Sequence, residues 1–204
     1  MLNYNKYEIV LASASPRRKE LLENIGLRFK IAVASCDETI DDGIKPEEAV
    51  MILSLKKATA VAANFKGENK IVIGADTVVV FNNEILTKPK DSEDAYSMLK
   101  KLSGKKHSVM TGITVMRTSD SKSETVFCET EVYFKDLTDD EIRSYIKTKE
   151  PLDKAGAYGI QGIASIFIEK INGDYFNVVG LPVCRLCDLL KKEFDLNILF
   201  ERQE

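Results

Sequence analysis

Apolar and polar residues follow one another along the chain in blocks whose spacing switches between that of a strand and that of a helix. Residues 71–81, IVIGADTVVVF, are almost continuously apolar and β-branched, which is typical of a strand in the middle of a sheet. Residues 16–25 and 46–65 instead carry apolar side chains at near-helical spacing, and each segment begins with a proline. Strands that alternate with helices predict an α/β fold.

Capping and turn residues mark the elements of the second half. Asp91 and the pair Thr138 and Glu141 are predicted helix starts, because their side chains can accept the free N–H groups of a first helical turn. Asn-Asn and Asn-Gly pairs favour tight turns between strands. We therefore predict a turn at 82–83, a helix from 91 to 104, strands at 107–117 and 125–135, a strand pair around 172–173 and a helix at 182–194.

The bulk properties are those of one globular domain. With 204 residues, 44% of them hydrophobic, and no repeat or long linker, the chain predicts a single domain over residues 1–204. A net charge of −3 argues against binding to long nucleic acids, so a polyanionic partner should be short. No basic segment leads into a long apolar run at the N-terminus and no stretch approaches 18 apolar residues, so we expect a cytoplasmic protein that does not bind membranes.

The cysteines and the single histidine narrow the chemistry. Cys184-x-x-Cys187 would suit a redox pair or half a zinc site, but no second Cys or His pair completes four ligands, so we expect two core-facing helix positions. His107 is the only histidine, which excludes sites with several histidines within one chain. Carboxylates must therefore hold any metal, and their oxygens favour Mg²⁺ or Mn²⁺.

Two arginines stand where a helix disfavours cations. Ser15 precedes a proline and is a predicted N-cap, which places Arg17 and Arg18 in the first turn, at the positive end of the helix dipole. Together with the Ser13 hydroxyl and the free N–H groups, the two guanidinium groups would suit a phosphate. The alternative is that Arg17 pairs with Glu20 and that Arg18 is solvated.

A second set of polar residues lies at predicted element ends. Asp76 interrupts an apolar strand, where a carboxylate needs a partner: it could hold Mg²⁺ or activate water, or form a salt bridge to a lysine. Glu38, in the acidic segment 36–43, could share the metal or simply be solvated. Lys57 and Lys88 are candidate phosphate ligands, although most lysines are only solvated, and Gln161 lies between glycines that permit close ligand approach or serves only to stabilise its loop.

Five blocks of the chain resemble the Maf-like nucleotide pyrophosphatases and follow one another in the order of that family. They are ASASPRRKELL (12–22), IGADTVV (73–79), Lys88-Pro89-x-Asp91, Leu102-Ser103-Gly104 and EPLDKAGAYGIQG (150–162). The resemblance implies a mixed, twisted sheet flanked by helices with a deep cleft, similar to inosine triphosphate pyrophosphatases. It also implies a homodimer that uses a divalent metal, Mg²⁺ or Mn²⁺, to hydrolyse a nucleoside triphosphate to the monophosphate and pyrophosphate.

The resemblance also implies roles for individual residues. Asp76 would be the proton acceptor. Arg17, Thr77 and Gln161 would tune substrate choice, while Ser13, Glu38, Lys57 and Lys88 would line the phosphate and metal site, which Arg18 joins by the argument above. The sequences Ser-Pro-Arg-Arg, Asp-Thr and Ile-Gln-Gly resemble the branch acting on dTTP and UTP, with modified pyrimidine nucleotides as further candidates. The family is linked to cleansing of nucleotide pools and to septum-formation arrest.

Two other functions stay open at this point. A pyrophosphatase for inosine or xanthosine triphosphate would share the fold class, and a substrate panel separates it from the dTTP and UTP branch. A non-catalytic nucleotide sensor that regulates division would bind the triphosphate without releasing pyrophosphate. The intact Asp76 argues for the enzyme.

Overall fold

The computed structural model describes residues 7–41 and 43–199, so Asp42 of the acidic segment lies outside the described residues. The elements in chain order are β1 (Glu8–Leu11), α1 (Pro16–Asn24), β2 (Lys30–Ile31), α2 (Pro46–Ala62), β3 (Lys70–Phe81), β4 (Glu84–Leu86), α3 (Ser92–Leu102), β5 (Lys106–Arg117), β6 (Ser123–Phe134), α4 (Asp139–Lys147), β7 (Ile168–Asn172), α5 (Tyr175–Val179) and α6 (Val183–Phe194). Short 3₁₀ turns occupy Ala63–Phe65, Glu150–Asp153, Ala155–Ala157 and Ile163–Phe167.

Within the described residues, seven strands form a mixed sheet in the order β2-β1-β3-β5-β6-β7, with β4 added to β3. Strand β1 pairs in parallel with both β2 and β3, whereas β4 and β7 are antiparallel to their neighbours β3 and β6. The parallel pairs need crossover connections, which α1 and α2 supply. The predicted α/β class with a mixed sheet is confirmed, while the deep cleft stays a prediction.

The chain divides into two compact units, each with its own core. The first unit comprises the described residues of Met1–Asp76, Thr111–Cys128 and Gly180–Glu204, and the second comprises Thr77–Met110 and Glu129–Val179. Residues from β1, α2 and β3 pack together in the first unit. Helices α3 and α4 pack with aromatic residues of β6 and of the 3₁₀ turns in the second. The single domain over residues 1–204 stays a prediction, since residues 1–6, 42 and 200–204 lie outside the described part.

The predicted helix starts and the first hairpin are confirmed. Asp91 accepts hydrogen bonds from two backbone N–H groups of α3, and Thr138 forms a reciprocal capping box with Glu141 at the start of α4. At the β3–β4 turn, Asn82 and Asn83 have φ angles of 51° and 63°. Positive φ at both central residues is what the favoured two-residue hairpin turn requires, and asparagine tolerates it.

The strand pair predicted around Asn172-Gly173 is wrong. Strand β7 ends at Asn172, and the chain continues into α5 instead of returning as a strand. Gly173 has a φ of 135°, and a Cβ placed on it would lie 2.8 Å from Thr130 Oγ1. That hydroxyl accepts a hydrogen bond from Asp174 N at 3.0 Å and donates one to Asp174 O at 3.1 Å. A contact with β6 thus directs the chain here, and the local turn sequence does not reveal it.

The helix predicted at 182–194 is confirmed as α6, but the interpretation of its cysteines is wrong. Cys184 is exposed and Cys187 is half-buried, and both are free thiols. The buried stripe of α6 consists of Val183, Leu186, Leu189, Leu190 and Phe194. Those positions share one helix face, so the cysteines fall on the neighbouring face. No helix of the described residues is long and apolar enough to cross a membrane.

Candidate functional site

Arg18 is held at the start of α1 by two oxygen atoms. Its Nε donates to the carbonyl oxygen of Gly180 at 2.9 Å, and its Nη1 donates to Ser13 Oγ at 3.1 Å. Ser13 is buried, and the same hydroxyl also accepts from the backbone N–H of Ser15 at 3.2 Å. The Ser15 side chain caps the helix as predicted. The alternative of a solvated Arg18 is therefore wrong, since the guanidinium group is oriented by the protein.

The pKa of Arg18 depends on its burial and on three neighbouring charged groups. Burial lowers the pKa of Arg18, and the neighbouring charge of Arg17 lowers it further. The carboxylates of Asp76 and Glu38 oppose both effects and raise the pKa of Arg18. Two neighbouring, half-buried cations leave room for further negative charge beyond the two carboxylates, so the arrangement favours a ligand that brings it.

Lys57 bridges the two carboxylates. Its Nζ lies 2.5 Å from Asp76 Oδ1 and 3.3 Å from Glu38 Oε1. The side chains of Lys57 and Asp76 are only 19% and 13% exposed, whereas that of Glu38 is 60% exposed. The salt bridge considered for Asp76 from the sequence is thus present, and its partner is a predicted site residue. The exposed Glu38 is free to turn toward a ligand.

A close contact between helix and strand brings Lys57 to Asp76. A Cβ placed on Gly74 would lie 2.4 Å from the carbonyl oxygen of Ser54 and 2.9 Å from Ala58 Cβ, so α2 rests directly on the backbone of β3. Asp76 is two residues after Gly74 and therefore points to the same face of the strand. Lys57 directly precedes Ala58 on α2. The glycine thus permits the spacing at which the ammonium group reaches the carboxylate.

The acidic loop is attached to α2 next to Lys57. Asp37 Oδ1 accepts from the backbone N–H and the hydroxyl of Thr39, at 2.9 and 2.5 Å, and these hydrogen bonds lower the pKa of Asp37. Lys56 Nζ donates to the carbonyl oxygen of Thr39 at 2.9 Å. The loop around Glu38 is therefore folded on itself and joined to the helix, which carries the Glu38 carboxylate to the site.

The carboxylates could hold a metal only together with a ligand. Among the residues that the structure describes, no group of three or more His, Cys, Asp or Glu side chains is arranged around a common point. Glu38 and Asp76 are nevertheless within reach of one ammonium group, so a small cation could meet both. Two carboxylates completed by phosphate oxygens and water are a common way to bind Mg²⁺. The residues present fit such an ion.

Thr77, Lys88 and Gln161 belong to the second unit. Thr77 is half-buried in β3, while Lys88 and Gln161 are exposed. The carbonyl oxygen of Thr87, next to Lys88, accepts a hydrogen bond from Gly156 N at 3.1 Å, which joins the Lys88 loop to the glycine-rich segment. The structure thus brings together Ser13, Arg17, Arg18, Glu38, Lys57 and Asp76 in the first unit and places the other three predicted residues in the second.

Two contributors to the site were not predicted. The carbonyl of Gly180 binds Arg18 although 162 positions separate them, and no local pattern marks such a contact. The second contributor is Gly74, two residues before Asp76. A lone glycine inside a buried strand is itself a signal of close backbone approach, and that signal could have identified the packing of α2.

Three cations and two carboxylates lie together in the first unit of this α/β protein, a set that would suit a polyanion and offers oxygen ligands for a metal. The family model described as Maf-like protein matches residues 8–193, and the chain belongs to this family. The resemblance seen in the motif blocks is thereby confirmed.

The chain is similar to curated proteins over nearly its whole length. A protein of Thermoanaerobacter sp. (strain X514) named dTTP/UTP pyrophosphatase is 53% identical over 192 residues, 94% of this chain and 100% of that protein. Proteins of the same name from Clostridioides difficile (strain 630) and Bacillus cereus (strain G9842) are each 50% identical over 94% of this chain and cover 98% and 97% of their own lengths. The solved structure of the Staphylococcus aureus Ham1 protein covers 62% of this chain and 71% of its own, with 20% identity and a TM-score of 0.46, a level that bears on no functional argument.

Proposed function

We propose that the protein hydrolyses dTTP and UTP to the nucleoside monophosphate and pyrophosphate. The observation that carries the proposal is the half-buried ion pair between Lys57 and Asp76, near the oriented Arg18, in a chain about half identical to proteins named for this reaction. Cleavage of a phosphoanhydride needs cations on the phosphate oxygens and a base for water. The site contains both.

Each predicted site residue of the first unit has a role in the proposed reaction. Arg17 and Arg18 bind phosphate oxygens, and Ser13 keeps the Arg18 guanidinium in place. Asp76 accepts a proton of the attacking water as the water oxygen forms a bond to phosphorus, and the anhydride bond between the α and β phosphates breaks with pyrophosphate leaving. Lys57 neutralises charge on the phosphates and orients the Asp76 carboxylate.

Glu38 and Asp76 would hold the divalent cation. Their oxygens suit Mg²⁺ or Mn²⁺, and the exposed Glu38 can move to complete the coordination. The cation supplies charge neutralisation on the phosphate oxygens when it is bound. We further propose that the protein is a cytoplasmic homodimer. Light scattering would measure its mass in solution and so test the dimer. A link to septum formation stays a prediction.

A substrate panel tests the proposal. Purified protein is incubated with dTTP, UTP, CTP, inosine and xanthosine triphosphates and modified pyrimidine triphosphates, with Mg²⁺ or Mn²⁺, and both products are measured. We expect monophosphate and pyrophosphate in equal amounts, most rapidly from dTTP and UTP. Preference for the purine substrates would indicate the inosine and xanthosine activity, and binding of dTTP without pyrophosphate release would indicate a sensor.

Replacing Arg18 with alanine should weaken the response of the protein to pyrophosphate. A ligand that binds only the folded state raises Tm by mass action, so pyrophosphate should raise the Tm of the wild type. In Arg18→Ala the rise should fall by roughly half or more, because one guanidinium group no longer contacts the ligand. The matched control is Lys19→Ala, which removes the exposed cation next along α1. An equal rise in Arg18→Ala and wild type would remove Arg18 from the phosphate site.

Gln161 should make the enzyme prefer UTP over CTP. Uracil and thymine present an N3–H donor beside the O4 acceptor, and one amide in a fixed orientation can meet both, whereas cytosine presents the reverse pattern. Leaving buried groups unpaired costs about 1 to 3 kcal/mol each, so kcat/KM for UTP should exceed that for CTP by roughly 10-fold or more. Gln161→Ala should lower the ratio of kcat/KM for UTP to kcat/KM for CTP. Equal kcat/KM for CTP and UTP in the wild type would contradict this role.

A further inference from the structure

We propose that Glu150 and Tyr145 are positioning residues for base selection, because they fix the turn 159–162 that carries Gln161. The inference rests on the proposed function and concerns how the same enzyme distinguishes uracil from cytosine. An amide distinguishes the two patterns only if its own orientation is held, since a rotated amide would fit the reverse pattern equally well. A fixed backbone restricts the orientations that the side chain can adopt. The exposed Gln161 side chain therefore needs a rigid support.

The Glu150 carboxylate lies directly against the end of this turn. Its Oε2 accepts a hydrogen bond from the backbone N–H of Ile163 at 3.1 Å, and its Oε1 accepts one from the Tyr145 hydroxyl at 3.1 Å. A Cβ placed on Gly162 would lie only 2.0 Å from Glu150 Oε1. The carboxylate thus fills the space a side chain at position 162 would need, and both of its oxygens are engaged.

The other end of the turn is fixed by Lys154. A Cβ on Gly159 would lie 2.8 Å from Lys154 Cδ, so the lysine side chain covers this glycine. Lys154 Nζ donates to the Glu150 carbonyl oxygen at 2.6 Å, and Gly162 N donates to the Gly159 carbonyl oxygen at 3.1 Å. Glu150 therefore holds the segment through its backbone as well as its side chain. The turn is closed on itself and supported at both glycines.

Tyr145 is a rigid anchor for Glu150. The tyrosine is on α4, is only 3% exposed and packs edge-to-face on Phe167 at a centroid distance of 5.3 Å. Burial raises the pKa of Tyr145 and the Glu150 charge raises it further, so the hydroxyl keeps its proton and remains a donor to the carboxylate. The chain of contacts runs from the packed helix through Glu150 to the backbone beside Gln161.

Loss of this support should alter selection more than turnover. Asp76 and Lys57, which act in the chemical step, belong to the first unit, while every contact of the support lies within the second. In Tyr145→Phe the ring and its packing remain, while the hydrogen bond to Glu150 and the interaction of the hydroxyl with the backbone of Gly159 are lost. The turn then samples further arrangements in which the Gln161 amide fits cytosine, so CTP gains relative to UTP.

The experiment compares kcat/KM for UTP and CTP in the wild type, Tyr145→Phe and Glu150→Ala. We expect the UTP to CTP ratio to fall about threefold or more in Tyr145→Phe, as loss of one such hydrogen bond permits, and further in Glu150→Ala, with kcat for UTP nearly unchanged in Tyr145→Phe. The matched control is Tyr133→Phe, which removes a hydroxyl bonded to the Glu131 carboxylate at 2.9 Å in the same unit. This control should keep the wild-type ratio.

A double substitution tests whether the tyrosine acts through Gln161. If it does, adding Tyr145→Phe to Gln161→Ala leaves the ratio as it is in Gln161→Ala alone. The inference is overturned if Tyr145→Phe leaves the UTP to CTP ratio unchanged, or if it lowers the ratio equally in the wild type and in Gln161→Ala. In both cases a wild-type preference for UTP still supports the proposed function. A wild type that does not hydrolyse UTP overturns the proposed function itself. If Glu150→Ala fails to fold, Tyr145→Phe and its control Tyr133→Phe still test the inference.

Discussion

Replacing Asp76 with asparagine should lower kcat for dTTP and UTP by roughly 10²-fold or more, because in the proposed reaction the variant loses both a base for the attacking water and a charged metal ligand. The asparagine side chain has nearly the same shape, so the contact between α2 and β3 at Gly74 is kept. Lys57 keeps Glu38 as a partner at 3.3 Å, which limits the loss of stability. Steady-state release of pyrophosphate at saturating substrate measures the effect.

The control for this prediction is Asp37→Asn. Asp37 is an exposed carboxylate in the loop that carries Glu38, and the structure places its side chain on Thr39 and not on Lys57. We expect kcat to change little in this variant. Near-normal turnover by a folded Asp76→Asn protein, with the wild-type Tm, would exclude Asp76 from the chemical step.

The stability of the protein should fall as the pH decreases from about 6.5 to about 4, because of His107. The ring is buried on β5 between Phe134 and Tyr158, with its Nε2 2.8 Å from the Tyr158 hydroxyl. Burial lowers the pKa of His107 to about 4, below the value of an unfolded chain. Protons therefore bind the unfolded chain first as the pH falls, and folding loses about 3 kcal/mol over this range.

Two measurements check the histidine prediction. As the only histidine in the sequence, His107 gives a single set of imidazole ring signals in the NMR spectrum, and these should not titrate above about pH 5 in the folded protein. His107→Gln keeps a group that can bond to Tyr158 but does not titrate. Its free energy of unfolding should decline less steeply with falling pH than that of the wild type. Parallel declines in both proteins would show that carboxylates alone cause the effect.

The sequence predicted features that depend on short-range contacts. The caps at Ser15, Asp91 and Thr138 and the turn at 82–83 were correct, because each needs only residues within one turn of chain. The strand pair at 172–173 failed because Thr130, more than forty positions earlier, directs the chain after Gly173. The Asn-Gly pair indicates only which backbone conformations the segment tolerates, and packing determines which of them it adopts.

The same distinction applies to the site. Charge in an unfavourable place drew attention to Arg18 and Asp76, because an arginine in a first helical turn and a carboxylate in an apolar strand both need partners, and the structure shows polar partners for both. The partner that orients Arg18 is a backbone carbonyl at Gly180, and backbone atoms carry no residue-specific signal. The contact of Glu150 with the turn that carries Gln161 was likewise hidden, since the ten residues between Glu150 and Gln161 give no sign that the chain folds back.

The backbone contact at Gly74 sets how closely α2 can approach β3 beside the ion pair. The carbonyl oxygen of Ser54 meets the strand backbone there, while side chains of α2 and β3 pack in the core of the first unit. Exchanges among neighbouring aliphatic residues that keep this contact should leave the registration of Lys57 and Asp76 unaltered. The spacing of the ion pair thus depends on the absence of a side chain at position 74, so substitutions made to raise stability should leave this glycine unchanged.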